Sequence, residues 1–335
     1  MKKLVLFSVA LCCCFSALAQ WMPDSTVQVV AYWDKGDKPV YQVHGSVKQV
    51  FGDGTEKLIS EDFEKHSLEV IDQTDSAYVV RMKICDTQLS SVTDPLESEL
   101  RNELQEEMTF DFLTTELGRP LEFMNLFDES ERLQKRLPQV TDSFFARHRR
   151  LKKDEKQRLE AAAEGIRAFT ASLESFKKLG EDAFLPLLYW HGSRLDTTQI
   201  YTIDSSVENL FGTTVPAKRD IWVDAESSDS SVVVIRGYTK LEHNELMPLL
   251  EKFMLDNIRS STADDSEYDE AVNEWFDSVS EKHLALSLER YDIWAVHLGT
   301  GWTVVYSQEQ HLAIKDDESD VDTISSIDIK YILDN

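Results

Sequence analysis

The sequence predicts an α+β fold in which antiparallel sheet from both halves of the chain packs against central and late helices. Three observations carry that expectation. Short alternating segments joined by turn residues run up to about residue 125 and resume after 180, so consecutive strands meet without crossover helices. Between them Leu159, Ala162, Ile166, Phe169, Leu173 and Phe176 step by three or four, an amphipathic stripe that needs a sheet to cover it. Two later stripes, Leu246 to Met254 and Tyr268 to Val279, repeat the helical period. The chain thus divides into a signal segment at 1–19, an N-terminal β block at 20–125, a central helical bridge at 126–180 and a C-terminal β block with a helix pair at 181–335. Two arrangements satisfy this order: one strongly curved sheet, like that of periplasmic lipid carriers, or two similar sheet lobes bridged by the helices.

Lys2 and Lys3 precede the apolar run Leu4 to Phe15, and Ala17-Leu18-Ala19 supplies a small-x-small cleavage site. The run is too short for an anchor, and no later stretch has the length a membrane-spanning helix needs. The expectation is an exported, soluble protein of a Gram-negative bacterium, periplasmic or secreted. Cleavage removes Cys12, Cys13 and Cys14, which leaves Cys85 as the one thiol, so a core without an intramolecular disulfide must carry stability.

From Thr26 the pattern is β. Tyr41, Val43, Val47 and Phe51 share one strand face, and His44 lies on the polar one. Tyr78, Val80, Met82 and Ile84 point inward from a later strand, with Arg81, Lys83 and Cys85 opposite. Residues 87–105 read as a loop with a short helix from Leu96 to Leu104. Met108 to Phe123 reads as a hairpin that turns at Glu116-Leu117-Gly118. Asn125 is placed to cap the next helix, Pro138 to stop or kink it, and Gly180 to close the central stripe. Ala183 to His191 then returns to sheet, followed by strands near 199–203, 220–225 and 231–238. Val232 to Ile235 suggests a central strand buried on both faces. A helix starting between Asn244 and Met247 avoids placing Pro248 in its interior. In the last hairpin a three-residue loop at Gly299-Thr300-Gly301 pairs Trp294 with Tyr306, Val296 with Val304 and Leu298 with Trp302. Thr323 to Leu333 buries Ser325, Ile327, Ile329 and Tyr331 and turns its other face outward, as at a sheet edge.

Without Lys2 and Lys3 the chain has 33 basic against 61 acidic residues, a net charge of −28. That balance disfavours nucleic acid and anionic lipid surfaces and favours solubility. Against it stands one basic run, Arg147, Arg149, Arg150, Lys152 and Lys153. It reads as a solvated helix face or inter-helix turn paired with the protein's own carboxylates, or as a partner-docking patch for phosphate or lipid headgroups.

The motifs that carry common chemistries are missing. The sequence has no His-Glu-x-x-His, no Gly-x-Ser-x-Gly, no phosphate-binding Gly-x-x-x-x-Gly-Lys and no paired cysteines for zinc. Asp316, Glu318, Asp320 and Asp322 alternate like calcium ligands, but Val321 and Ile327 stand where a calcium loop needs Gly and Glu. His191-Gly192-Ser193 with Asp196 is the most site-like cluster, and it reads more simply as a strand end and turn. No catalytic residue, metal site or cofactor is therefore expected. The remaining signal is aromatic: Trp33, Tyr41, Tyr189, Trp190, Trp222, Trp294, Trp302 and Tyr306 all fall on expected strands. They are either sheet-to-helix core or the lining of a site for an apolar ligand.

Tyr32-Trp33-x-Lys35-Gly36-Asp37, Phe112 to Gly118 followed by Leu121-x-Phe123-Met124-Asn125, and Gly301-Trp302 together carry a resemblance over most of the mature chain. The chain resembles a loose group of uncharacterised exported proteins of Gram-negative bacteria, a likeness that implies no activity and no site residues. The functional expectation is an envelope protein that binds an apolar small molecule or a protein partner without catalysis. The alternatives are a structural or interaction protein without a ligand, and a hydrolase with a site near His191.

Overall fold

Period-two alternation extends through longer segments than the turn residues alone delimit, and these segments pair into one antiparallel sheet. The computed structural model describes residues 22, 24–89, 95–210, 213–224, 231–262, 265–281, 283–317 and 320–332. The signal segment, the Ser/Asp turn at 225–230 and Glu318 lie outside them. The N-terminal part holds β1 (Thr26–Gln28), β2 (Val40–Phe51), β3 (Glu56–Thr74), β4 (Ala77–Leu89), α1 (Pro95–Gln105), β5 (Thr109–Thr115) and β6 (Pro120–Phe123). The helical bridge is α2 (Leu126–Arg147), α3 (Lys153–Ala171) and α4 (Leu173–Leu188). Then come β7 (Arg194–Asp196), β8 (Ile200–Leu210), β9 (Thr213–Asp224), β10 (Val232–Leu241), α5 (His243–Ser261), α6 (Asp265–Glu281), β11 (Ala285–His297), β12 (Thr303–Lys315) and β13 (Asp320–Ile332).

The eleven-stranded sheet runs in the order β6-β5-β4-β3-β2-β13-β12-β11-β10-β9-β8, and β1 pairs separately with β7. The fold is α+β and mostly antiparallel, as expected. The two β blocks are halves of one sheet, joined where β13 pairs with β2 from Val321–Phe51 to Ile332–Val40. The segment 323–333 was expected at an edge; β13 instead lies inside the sheet, bonded to β12 on one side and β2 on the other. Its polar outward residues reflect a sheet with one uncovered face, not an unpaired backbone. The same one-sidedness corrects the expectation for β10, where Val233 and Ile235 are buried while Val232 and Val234 are partly exposed.

Helix limits differ from expectation wherever packing outweighs a local signal. α2 continues through Pro138 because Leu133, Leu137, Val140 and Phe144 keep one buried stripe across it. Asn125 precedes α2 but spends its side chain elsewhere: its Oδ1 accepts from the Asp111 N–H at 2.9 Å, which ties the helix start to β5. α3 ends at Ala171, and the next residue, Ser172, accepts from the Ser175 N–H through its Oγ and caps α4. Gly180 does not end a helix. It lies within α4, where an added Cβ would stand 2.7 Å from ring carbons of Phe110 and Phe123. Its value is close approach to the sheet. Residues 183–188, expected as strand, complete α4, with Phe184 stacked on Phe112 at 3.6 Å. α5 begins earlier than expected, with the Glu242 N–H bonded to Glu245 Oε2, and it accepts Pro248 in its interior.

The helices cover one face of the sheet. A large core gathers β2 to β5 and the inner ends of β9 to β12 under α1 to α4. A smaller core places Leu246 of α5 over Val207, Val215, Leu241, Leu286 and Leu288. No helix among the described residues is long and apolar enough to cross a membrane.

Candidate functional site

On the helix-covered face, β9 presents Val215, Ala217, Arg219, Ile221 and Val223, and β11 presents Leu286, Leu288, Arg290, Asp292, Trp294 and Val296. Each strand is apolar at both ends and charged in the middle. Pairing aligns these centres. Arg219 faces Thr239, Thr239 faces Arg290, Arg290 faces Gln310 and Gln310 faces Ser325. One step along, Gly237, Asp292, Gln308 and Ile327 form a parallel row. A polar belt thus crosses five strands between the two apolar cores. Gly237 makes it possible, because a Cβ there would press within 3.2–3.3 Å of Ile221, Arg219 and Asp292.

α4 forms a wall over this belt. The last carbonyls of a helix lack intrahelical partners, and here the sheet and the following turn supply them. Trp294 Nε1 donates to the Pro186 carbonyl at 3.1 Å, the Thr303 hydroxyl donates to that of Leu187, and the His191 N–H donates to that of Leu188 at 3.1 Å. With Phe176, Gly180 and Phe184 facing the core, Lys178, Glu181, Asp182, Leu185 and Tyr189 fall on the opposite side. Between that side and the belt lies an open cleft of about 720 Å³. Its remaining lining comes from Pro186, Ser205, Ser206, Arg219, Arg290, Trp294, Tyr306, Gln308, Gln310, Ser325, Ile327 and Ile329.

The floor is charged and nearly dry. Asp292 is 1 % exposed and Arg219 5 %. Arg290 binds the Asp292 carboxylate through Nε and Nη2 at 3.0–3.2 Å. Burial works against the charge of Arg290, but Asp292 and Tyr306 together hold its pKa above the ordinary value. The Tyr306 hydroxyl lies 3.0 Å from Gln308 Oε1 and 3.3 Å from Asp292 Oδ1. Burial, and then the Asp292 charge, raise its pKa well above that of a free phenol, so it stays neutral and donates. Arg219 Nε stands 3.5 Å from Asp292 Oδ2 and makes no hydrogen bond. Two guanidinium groups therefore share one carboxylate. On the α4 wall the charges balance, since Lys178 bonds Asp182 and Lys177 pairs with Glu181.

Of the eight aromatics singled out in the sequence, three line the cleft. Tyr189, 44 % exposed, stacks on Trp294 at 5.7 Å, and Trp294 meets Tyr306 at 5.5 Å. Trp33, Tyr41, Trp190 and Trp302 are buried core; Trp33 and Trp302 stack at 4.2 Å where residues 29–33 cross the last hairpin. Trp222 points away from the helices, since its neighbours Ile221 and Val223 are the buried ones. Sequence reasoning missed Arg219, Arg290, Asp292 and Gln308. A signal existed, a charge on the buried parity of an apolar strand. It was hidden for Arg219 because the expected strand began at 220, inside the longer β9.

Part of the basic run is paired with the protein's own groups. Arg147 bonds Glu103 and lies near Glu99 of α1, while His148 bonds Glu99. Arg149 donates to the Ala146 carbonyl, and Arg150, Lys152 and Lys153 are exposed around the α2–α3 turn. His191 is 2 % exposed, and its Nε2 donates to the Gly301 carbonyl at 2.6 Å. Burial lowers its pKa to about 4. Its hydrogen-bond partners include no carboxylate and no nucleophile, which counts against the alternative of a hydrolase site there. Among the described residues no group of three or more His, Cys, Asp or Glu side chains is placed to hold a metal ion. Asp320 bonds Lys315 and Asp322 bonds His311.

No family model matches the chain, and no curated protein matches it significantly. Among solved structures the chain has a likeness to a chain described as lipid–protein interactions in lipovitellin, at 10 % identity and a TM-score of 0.41 over 90 % of this chain. It spans 25 % of that chain's length. A second likeness is to Ail, the attachment invasion locus protein of Yersinia pestis, at 6 % identity and a TM-score of 0.14 over 89 % of this chain and 99 % of that one. Neither likeness bears on function.

Proposed function

We propose that this chain is a non-catalytic binding protein of the cell envelope, whose cleft between α4 and the sheet takes an apolar or amphipathic small molecule. One observation carries the reading: the cleft is lined by apolar side chains left in solvent. Ile327 is 40 % exposed on the helix-covered face, and Leu185 and Tyr189 are exposed across from it. Removing such surface from water stabilises by roughly 25 cal/mol per Å², and the cleft lies within the ~300–1,000 Å³ common for ligand sites. Export is part of the same proposal, supported by the Lys2-Lys3, Leu4–Phe15 and Ala17–Ala19 pattern and by the resemblance to exported proteins.

Native mass spectrometry of protein purified from its own bacterium, paired with fluorescence titration by the neutral probe N-phenylnaphthylamine, tests the reading. A co-purifying small molecule, or probe uptake that Trp294→Ala weakens, supports it. An empty protein that takes up no probe overturns it.

A second reading, an interaction protein without a ligand, has its own observation. Leu121 of edge strand β6, with Met124 and Phe127 just beyond, is more than half exposed. The edge first expected to serve that role is paired on both sides from Val321 to Lys330.

A further inference from the structure

Arg219 poses a problem that the apolar cleft alone does not answer. A buried guanidinium costs several kcal/mol in lost hydration unless an anion and hydrogen bonds replace the water. Among the described residues of the cleft floor only Asp292 serves that purpose, and Arg290 already holds it through two nitrogens. Tyr306 points its hydroxyl at the same carboxylate. Arg219 is left 3.5 Å from Asp292 Oδ2, with a buried Nε that donates to nothing. The floor carries one positive charge more than it neutralises. The acidic groups nearest the cleft mouth do not correct this, since Asp182 and Glu181 are committed to Lys178 and Lys177 on α4.

The surroundings select the anion. Arg290, Gln310 and Ser325 continue the row from Arg219, so the charged spot is flanked by side chains able to donate hydrogen bonds. Four residues further along β11 stands Trp294, about 13 Å away at the rise of a strand. There the lining turns apolar, with Leu185, Tyr189 and Ile329. Polarity therefore falls along the cleft from a guanidinium end to an aromatic end. A molecule matched to that gradient has a small planar anion at its head and a hydrocarbon tail.

We infer that the cleft binds a carboxylate-headed amphiphile of the long-chain fatty-acid class, with its carboxylate on Arg219 and its tail running toward Trp294 and Tyr189. This rests on the binding role proposed above and assigns that site its ligand class. Forked guanidinium donors match a carboxylate's two oxygens. Bound there, the carboxylate supplies a second anion to the two guanidinium groups that share Asp292.

The experiment compares palmitate with hexadecanol, which has the same tail without the charge, by isothermal titration of the full-length processed protein. Palmitate should bind roughly tenfold to a hundredfold more tightly, the range of a charged hydrogen bond lost or kept. Arg219→Met should erase the difference by weakening palmitate. That variant keeps the Arg290–Asp292 pair and removes only the under-partnered cation, and the comparison in the unaltered protein needs no variant at all. Equal binding of both probes by the unaltered protein overturns the carboxylate assignment and leaves the apolar site standing. A palmitate preference that persists in Arg219→Met also overturns it. Binding of neither probe overturns both readings.

Discussion

His191 should make this protein lose stability in acid faster than its carboxylates alone require. It is buried and neutral, with its pKa lowered to about 4 by burial against roughly 6.5 in an unfolded chain. The unfolded chain therefore takes up a proton that the folded one refuses. The His191 contribution is intact above the unfolded pKa, declines as pH falls through the window between 6.5 and 4, and is exhausted below it. Integrated from pH 7 to pH 4.5, the loss is about 2 kcal/mol. Many carboxylates begin to titrate in the same range, so the comparison must be with a variant. His191→Gln retains a donor for the Gly301 carbonyl and removes the titration. Urea midpoints followed by tryptophan fluorescence at pH 7 and pH 4.5 should show the unaltered protein losing about 2 kcal/mol more than the variant. Equal losses would refute the argument, because they would mean that His191 is hydrated or charged in the folded state.

Two further outcomes follow from packing and charge. Gly301 has φ +76° and lies against residues 30 and 31, where an added Cβ would stand 2.8 Å from the Ala31 Cα and closer still to the Val30 carbonyl oxygen. Gly301→Ala combines a left-handed backbone with a clash against main chain, and should cost about 2–4 kcal/mol in denaturant unfolding; an unchanged midpoint would contradict the crossing. Asp292→Asn leaves two buried guanidinium groups without their carboxylate, and a loss of about 3–5 kcal/mol is expected by thermal or urea unfolding.

What was legible in the sequence was whatever period and local chemistry decide. The turn at Gly118, the Trp294–Tyr306 pairing and the α5–α6 pair all follow from alternation or a helical stripe. The last hairpin kept that register only to Ala295, since a bulge shifts Val296 opposite Thr303 instead of Val304. The errors cluster where a distant partner overrides a local signal. Gly180 looks like a helix end until Phe110 and Phe123 are placed against it. Tyr41 and Trp302 look like ligand contacts until other strands bury them. The charged floor was the hardest to see, because Arg219 and Arg290 acquire meaning only through strands that place both against one carboxylate.

The pairing of β13 with β2 has a consequence for how the chain reaches this state. Ser46 and Ser326 share a hydrogen bond at 2.8 Å across a separation of 280 residues. Everything on either side of that seam can form by pairing neighbours in sequence. The seam itself closes the largest loop in the sheet, and loop closure delays such contacts relative to local ones. Until it forms, β2 and β13 each expose an unsatisfied edge, and each edge is a template for the wrong chain. Two like-charged halves approach one another at that step, in a protein with far more acidic than basic residues. Added salt should therefore accelerate the final docking of the halves more than the folding of either one.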